Sequence, residues 1–230
     1  MAKTKQGDVR SRAARRADLL AAAQRAMSVH GTQVRLNQVA EQAGLTSGAV
    51  LYHFPDLQDL LIEANRAGME RFYDERVRAI EGIADPAERL FVTILSGLPT
   101  GKDDEEVRLL CALGGEAARN TVYAVLLTSL FDRQVTMYQQ ILEDGERSAV
   151  FKMTGGALAI ARNLVALEDA YGYRIMAGHP VLDPSTSAEL ILDYARIATG
   201  NPLVFPRALS TLKTPKSTAP AKIRSRMEIQ

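Results

Sequence analysis

The chain has one cysteine, three histidines and no long apolar run, and each scarcity removes a class of function. A lone Cys111 rules out a framework of intramolecular disulfides and fits a reducing cytoplasm. His30, His53 and His179 stand in unrelated contexts without metal-ligand spacing, so neither a metal nor a cofactor is expected. No Gly-rich phosphate loop, Gly-x-Ser-x-Gly turn or Cys-x-x-Cys pair occurs, and the carboxylates form no recognisable pair. No catalytic residue is therefore assigned, and the chain does not read as an enzyme. Arg162 and Glu168 interrupt the best apolar stretch, which falls short of the roughly 18 residues a membrane helix needs. The N-terminal charges are not followed by an apolar core, so no secretory leader is expected. Period-two alternation and internal repeats are also missing, which points to an all-α fold.

What is present is an uneven charge distribution beneath a net charge of +1. Residues 1–54 hold eight Lys/Arg against three Asp/Glu, residues 55–206 fourteen against twenty-three, and residues 207–230 six against one. A basic head and tail on an acidic body suit a protein whose head alone meets a polyanion. Residues 1–13 read as a basic flexible arm, and Ala14 to His30 as a helix with an apolar stripe of Leu19, Leu20, Ala23 and Met27 closed by Gly31.

The most informative stretch runs from Arg35 to Phe54. Val39, Ala40 and Ala43 give one helix an apolar side, and Gly44 can take the left-handed backbone that stops it. Thr46 supplies a hydroxyl to cap a second helix, which turns Val50 and Phe54 to one side. Ser47, Gly48, Ala49, Tyr52 and His53 remain on the other, small enough or polar enough to enter a major groove. Arg10 and Arg12 precede the first helix and Arg15 and Arg16 stand in its first turn, where they can follow phosphates beside that groove.

The run Ala40-x-x-Ala43-Gly44-Leu45-Thr46-x-Gly48-Ala49-Val50-x-Tyr52-His53-Phe54, followed by Leu60-Leu61, resembles the N-terminal domain of TetR-type transcriptional regulators. Ala161 to Leu192, with Val165-Ala-Leu-Glu-Asp169 and Asp183-Pro184, is similar to the BetI-like branch. The resemblance implies a three-helix DNA-binding domain over residues 14–61, with its helix-turn-helix at 35–54. A helical ligand-binding and dimerisation domain would follow over residues 62–200. It also implies base and phosphate contacts from Thr46, Ser47, Gly48, Ala49, Tyr52 and His53. Three positions depart from the family pattern. Leu51 replaces a common Tyr, Leu57 a common Lys, and Arg35 a capping Thr or Ser, trading cap geometry for a cation that can reach DNA.

Beyond Asp56 the spacing predicts helices to about Glu81, then over Pro86–Leu98, Asp104–Arg119, Thr121–Glu143, Ala149–Ala177 and Pro184–Thr199. The last two match the family's dimerisation element, a four-helix bundle when paired with a second copy. Gly155, Gly156 and Ala157 either allow close helix approach there or soften a helix start. Isolated polar residues in the apolar body mark a candidate ligand site: Glu116, Tyr138, Asn163, Asp169 and Tyr171. A buried Glu116 would need a cation, from Arg119, Arg162 or the ligand itself. Residues 201–230, basic and proline-containing, read as a disordered tail.

With the motif and the basic head, the resemblance implies a homodimeric repressor that a small molecule releases from a palindromic double-stranded operator, with a cationic or amine-bearing effector favoured by the inward carboxylates. Control by a protein partner, or a helical binding module with weakened DNA affinity, are the alternatives.

Overall fold

A computed structural model describes residues 2–204, the side chains of residues 2–11 and Thr32 aside. Of the tail expected over residues 201–230, residues 201–204 pack on the body instead, with Leu203 buried and Asn201 donating to the Val150 carbonyl, and the remainder from 205 lies outside the described residues. Nine α-helices and one 3-10 turn, with no strand among the described residues, make the fold all-α. The first four helices are α1 (Ala2–His30), α2 (Leu36–Ala43), α3 (Ser47–His53) and α4 (Leu57–Ile80). They are followed by α5 (Pro86–Ser96), α6 (Glu105–Ala117), α7 (Thr121–Arg147), α8 (Ala157–Met176) and α9 (Pro184–Thr199).

Local chemistry places most helix starts. Side-chain oxygens of Thr46, Asp56, Asp85, Asp104, Asn120 and Asp183 each accept a backbone N–H of the helix that follows. Gly44, at φ 64°, ends α2 in the left-handed conformation and donates its N–H to Glu41. Arg35 keeps extended N-cap backbone although its side chain cannot accept; Gln38 Oε1 instead reaches back to the Arg35 N–H at 2.8 Å.

Leu19, Met27, Val39, Val50, Phe54 and Leu60 form the core of the head, which α6 completes with Leu109. The body core joins α5, α7, α8 and α9 around Phe91, Tyr138, Leu142, Leu164 and Ile191. Helix α4 belongs to both. Leu60 and Leu61 lie in the head core, Met69 in an intermediate cluster, and Ile80 packs on the body core. The expected boundary at residue 61 therefore falls inside an unbroken helix.

Two sequence expectations need correction. Residues 1–13, expected as a flexible arm, are helical from Ala2 and continue directly into the predicted first helix. Helix α7 passes through Asp144-Gly145, expected as a break, and α8 starts at Ala157 rather than Ala149. The cause is Phe151. A Cβ at Gly145 would overlap the Phe151 ring, so the glycine is a seat for that ring inside a helix rather than a stop signal. Ala149 turns the chain at φ 58°, and the N–H groups of Val150 and Phe151 both donate to the Gly145 carbonyl. The connection then hydrogen-bonds to the end of α9 through Lys152 and Thr154.

Candidate nucleic-acid interface and body cavity

Helix α3 is held by its apolar face and left open on the other. Val50 and Phe54 are buried, while Tyr52 is 75% exposed and Thr46, Gly48 and Leu51 are exposed. Ser47, Ala49 and His53 are half-buried, with the Tyr52 and His53 rings edge to face at 5.2 Å. Thr46 is committed to capping, its hydroxyl accepting the Ala49 N–H at 3.2 Å. A Cβ at Gly48 would meet nothing closer than Thr46 Oγ1 at 4.0 Å, so packing within the chain does not demand a glycine there.

The arginines separate into two groups. Arg12, Arg15 and Arg35 are exposed. Arg16 is also exposed but folds onto the head, with its guanidinium 4.0 Å above the Phe54 ring and paired with Glu63, and donating to the His53 carbonyl. Its stem and charge thus brace the end of α3. The Arg10 side chain lies outside the described residues. Leu57 packs on the head core, which accounts for an apolar residue at that place.

The second feature is a cavity of about 340 Å³ between α4, α6, α7 and α8. Phe72, Leu110, Leu127 and Phe131 supply apolar walls, and Cys111, Gln134, Glu168, Asp169 and Tyr173 the polar groups. A larger groove of about 590 Å³ lies on the outer face of α7 and α4, where Arg133 stacks on Tyr73 at 3.8 Å.

Of the sequence candidates, Asp169 lines the cavity. Tyr138 lies behind the wall, donating its hydroxyl to Glu168. Asn163 instead donates to the Tyr194 hydroxyl at 2.8 Å across α8 and α9, and Tyr171 packs on the body core. Glu116 is half-buried and is not among the lining residues. Asn163 and Tyr171 thus lie off the face of α8 that meets the cavity, which runs through Glu168, Asp169, Gly172 and Tyr173. One residue of offset turns a helix by about 100°.

The buried charge sits elsewhere than expected. Arg76 and Glu168 are 1% and 3% exposed and pair in a two-pronged contact, Nη1 to Oε2 at 2.9 Å and Nη2 to Oε1 at 2.7 Å. Arg76 also donates to Gln134 Oε1, to the Thr93 carbonyl at 3.0 Å and to the Tyr138 hydroxyl at 3.3 Å. Its Nε has no partner among the described residues. A Cβ at Gly97 would overlap the Glu168 carboxylate, so the end of α5 leaves room for that group. Burial alone would lower the Arg76 pKa, but the facing Glu168 carboxylate and its hydrogen bonds hold it above the ordinary value.

Asp169 is reached from the cavity, yet surrounding protein displaces enough water to push its pKa up to about 6, against a partial offset from Arg76. The Cys111 thiol is pushed up to about 11 by burial, with Asp169 and Asp104 adding to the effect, and stays protonated at neutral pH. The sequence carried one sign of Glu168, a charge inside the most apolar stretch of α8. Arg76, flanked by other charged residues in α4, carried none.

Residues 19–64 match the family profile of bacterial regulatory proteins of the tetR family. No curated protein sequence matches the chain. Among solved structures, it is similar to a putative transcriptional regulator from Saccharomonospora viridis in complex with choline. Identity is 26% and the TM-score 0.73, over 79% of this chain and 95% of that one. A TetR transcription regulator from Haloarcula marismortui matches at 20% identity and a TM-score of 0.73, over 81% of this chain and 99% of the other. A putative TetR-family regulator from Rhodococcus sp. matches at 21% identity and a TM-score of 0.70, over 80% and 98%. The chain has the fold of TetR-type transcriptional regulators, a helix-turn-helix head on a helical body. No helix among the described residues is long and apolar enough to cross a membrane.

Proposed function

We propose that this chain is a cytoplasmic, sequence-specific transcriptional repressor that binds a palindromic operator as a homodimer and is released by a small molecule. The observation that carries the DNA-binding part is α3, capped by Thr46, anchored by Val50 and Phe54, and open at Ser47, Gly48, Ala49 and Tyr52. Ser47 can donate or accept at a base edge, Ala49 can meet a thymine methyl, and Gly48 lets the backbone come close. Tyr52 and His53 suit phosphates or base edges, while Arg10, Arg12, Arg15 and Arg35 supply sequence-independent charge. Arg16 contributes through its support of α3 as much as through its charge.

Ser47→Arg is expected to change the preference among duplexes selected from genomic fragments. Arg12→Ala with Arg15→Ala should weaken all duplexes alike and flatten the salt slope by about two phosphate contacts. Fluorescence anisotropy over a salt series reads both. Equal losses on selected and random DNA for Ser47→Arg would take that residue out of base readout.

The dimer is supported by apolar groups left in the open on α8 and α9. Leu158, Leu190 and Ile197 are 40%, 40% and 73% exposed, and the last two share a helix face seven residues apart. Sedimentation at micromolar concentration should give twice the chain mass, and a monomer there would sink the dimer.

The cavity beside α4 supports a small-molecule effector, and its Asp169 carboxylate supports a cationic one. The similar regulator bound to choline favours the same chemistry. To shift the heads, the effector must prefer one spacing, and a differential affinity of ~100-fold, about 2.7 kcal/mol, is enough to release a modestly tight operator complex. Choline and other ammonium compounds should raise the melting temperature and lower duplex affinity. Compounds that stabilise without changing DNA binding would defeat the release mechanism.

A further inference from the structure

We infer that the Arg76–Glu168 pair is the joint through which occupancy of the cavity reaches the DNA-binding head, with Arg76 as the positioning residue on α4. The inference rests on the reading of the cavity as an effector site. Helix α4 spans 24 residues, about 36 Å, from the head core to the body core without a break. Any rotation or slide of its body end is therefore carried to the head.

Near that end the body grips α4 by a polar contact as well as by packing. One guanidinium reaches Thr93 on α5, Gln134 and Tyr138 on α7, and Glu168 on α8. Two of those partners, Gln134 and Glu168, also line the cavity. A molecule in the cavity thus touches from one side the groups that hold Arg76 from the other.

The coupling follows from the nature of the contact. Apolar packing tolerates a small slide, because many weak contacts exchange for others. A two-pronged guanidinium–carboxylate pair in a dry interior does not, because a misaligned buried ion loses both its partner and its water. Displacing Glu168 or Gln134 must therefore move Arg76 and α4 with it. A side chain at position 97 would overlap the Glu168 carboxylate, so Gly97 provides the place at the end of α5 in which the pair sits. Stability alone does not call for this arrangement, since a well-packed apolar replacement of a buried ion pair is often as stable.

The test compares the full-length protein with the triple variant Arg76→Met, Tyr138→Phe, Glu168→Met. That variant removes both charges and the phenol together, so neither member of the ion pair is left buried alone. Tetramethylammonium and butyltrimethylammonium serve as probes, at concentrations shown by calorimetry to saturate each protein. The readout is the ratio of duplex Kd with and without probe. A drop from ~100-fold in the natural protein to about three-fold or less in the variant is expected. A variant that folds, takes up the probe and still releases DNA fully overturns the inference. If the triple variant fails to fold or to take up probe, Arg76→Lys decides, because it leaves every cavity-lining residue in place. Lysine keeps the charge but cannot reach all four partners, so the release ratio should fall at least five-fold, and an unchanged ratio overturns the joint. A natural protein that probes bind but do not release from DNA overturns the effector reading, and this inference with it.

Discussion

Arg76→Met alone is expected to destabilise the protein by about 3–5 kcal/mol, more than any single change on the DNA-binding face. The lost hydrogen bonds are the smaller part of that figure. Removing the guanidinium leaves Glu168, only 3% exposed, with a negative charge and no cation. Tyr138 still donates to it, but one hydroxyl does not replace the attraction of a full charge. The effect should depend on pH with a definite sign. Burial raises the Glu168 pKa, and removal of Arg76, which opposes that rise, raises it further. A carboxyl whose folded pKa exceeds its unfolded value favours the folded state most when protonated. The penalty in Arg76→Met should therefore be larger at pH 7.5 than at pH 5 and shrink as the solution is acidified toward the ordinary carboxylate range. Urea unfolding at pH 7.5 and pH 5 measures both statements. A loss below about 1 kcal/mol at pH 7.5 would mean that Glu168 finds another partner or water.

The contrast with the head shows which physical signals a sequence carries. Gly44, Thr46 and the caps at Asp56, Asp85, Asp104, Asn120 and Asp183 act within a few residues of themselves, so their spacing was enough to place the elements they bound. Val50 and Phe54 were legible as core for the same reason. Gly145 misled because its role depends on Phe151, which returns onto it only after the chain has reversed at Ala149. Arg16 read as a phosphate contact, since its stacking on Phe54 brings together residues 38 positions apart. The Arg76–Glu168 pair spans 92 positions, and nothing local to either residue names its partner. On α8 the polar residues were recognised, but which stripe met a cavity depended on α4, α6 and α7 packing from other parts of the chain.

Asp169→Asn is expected to move stability and ligand binding in opposite directions. In the folded protein the Asp169 pKa stands at about 6, above the usual 3.8, because burial disfavours its charge and Arg76, already bound to Glu168, offsets this only in part. The carboxylate therefore carries no penalty when protonated below about pH 3.8, an increasing one between 3.8 and 6, and a constant one above. Asparagine keeps the shape and cannot ionise, so the variant should melt higher at pH 7.5 and lose that advantage on acidification through this window. Cation binding should respond the other way. Across the cavity the neighbouring titratable groups are the Cys111 thiol on α6 and the Tyr173 phenol on α8, both raised by burial and neutral at pH 7. Glu168 is neutralised by Arg76 on α4, which leaves Asp169 as the counter-charge for a cationic effector. Affinity of the natural protein for an ammonium ligand should fall about ten-fold from pH 7 to pH 5, as Asp169 takes up a proton that the ligand must displace. Asp169→Asn should bind at least ten-fold more weakly at pH 7, with a nearly flat pH profile. Calorimetric titrations of both proteins at the two pH values separate the possibilities. A flat profile for the natural protein would remove Asp169 from cation binding. A melting temperature lowered at pH 7.5 by Asp169→Asn would mean that the carboxylate is held by partners which favour its charge.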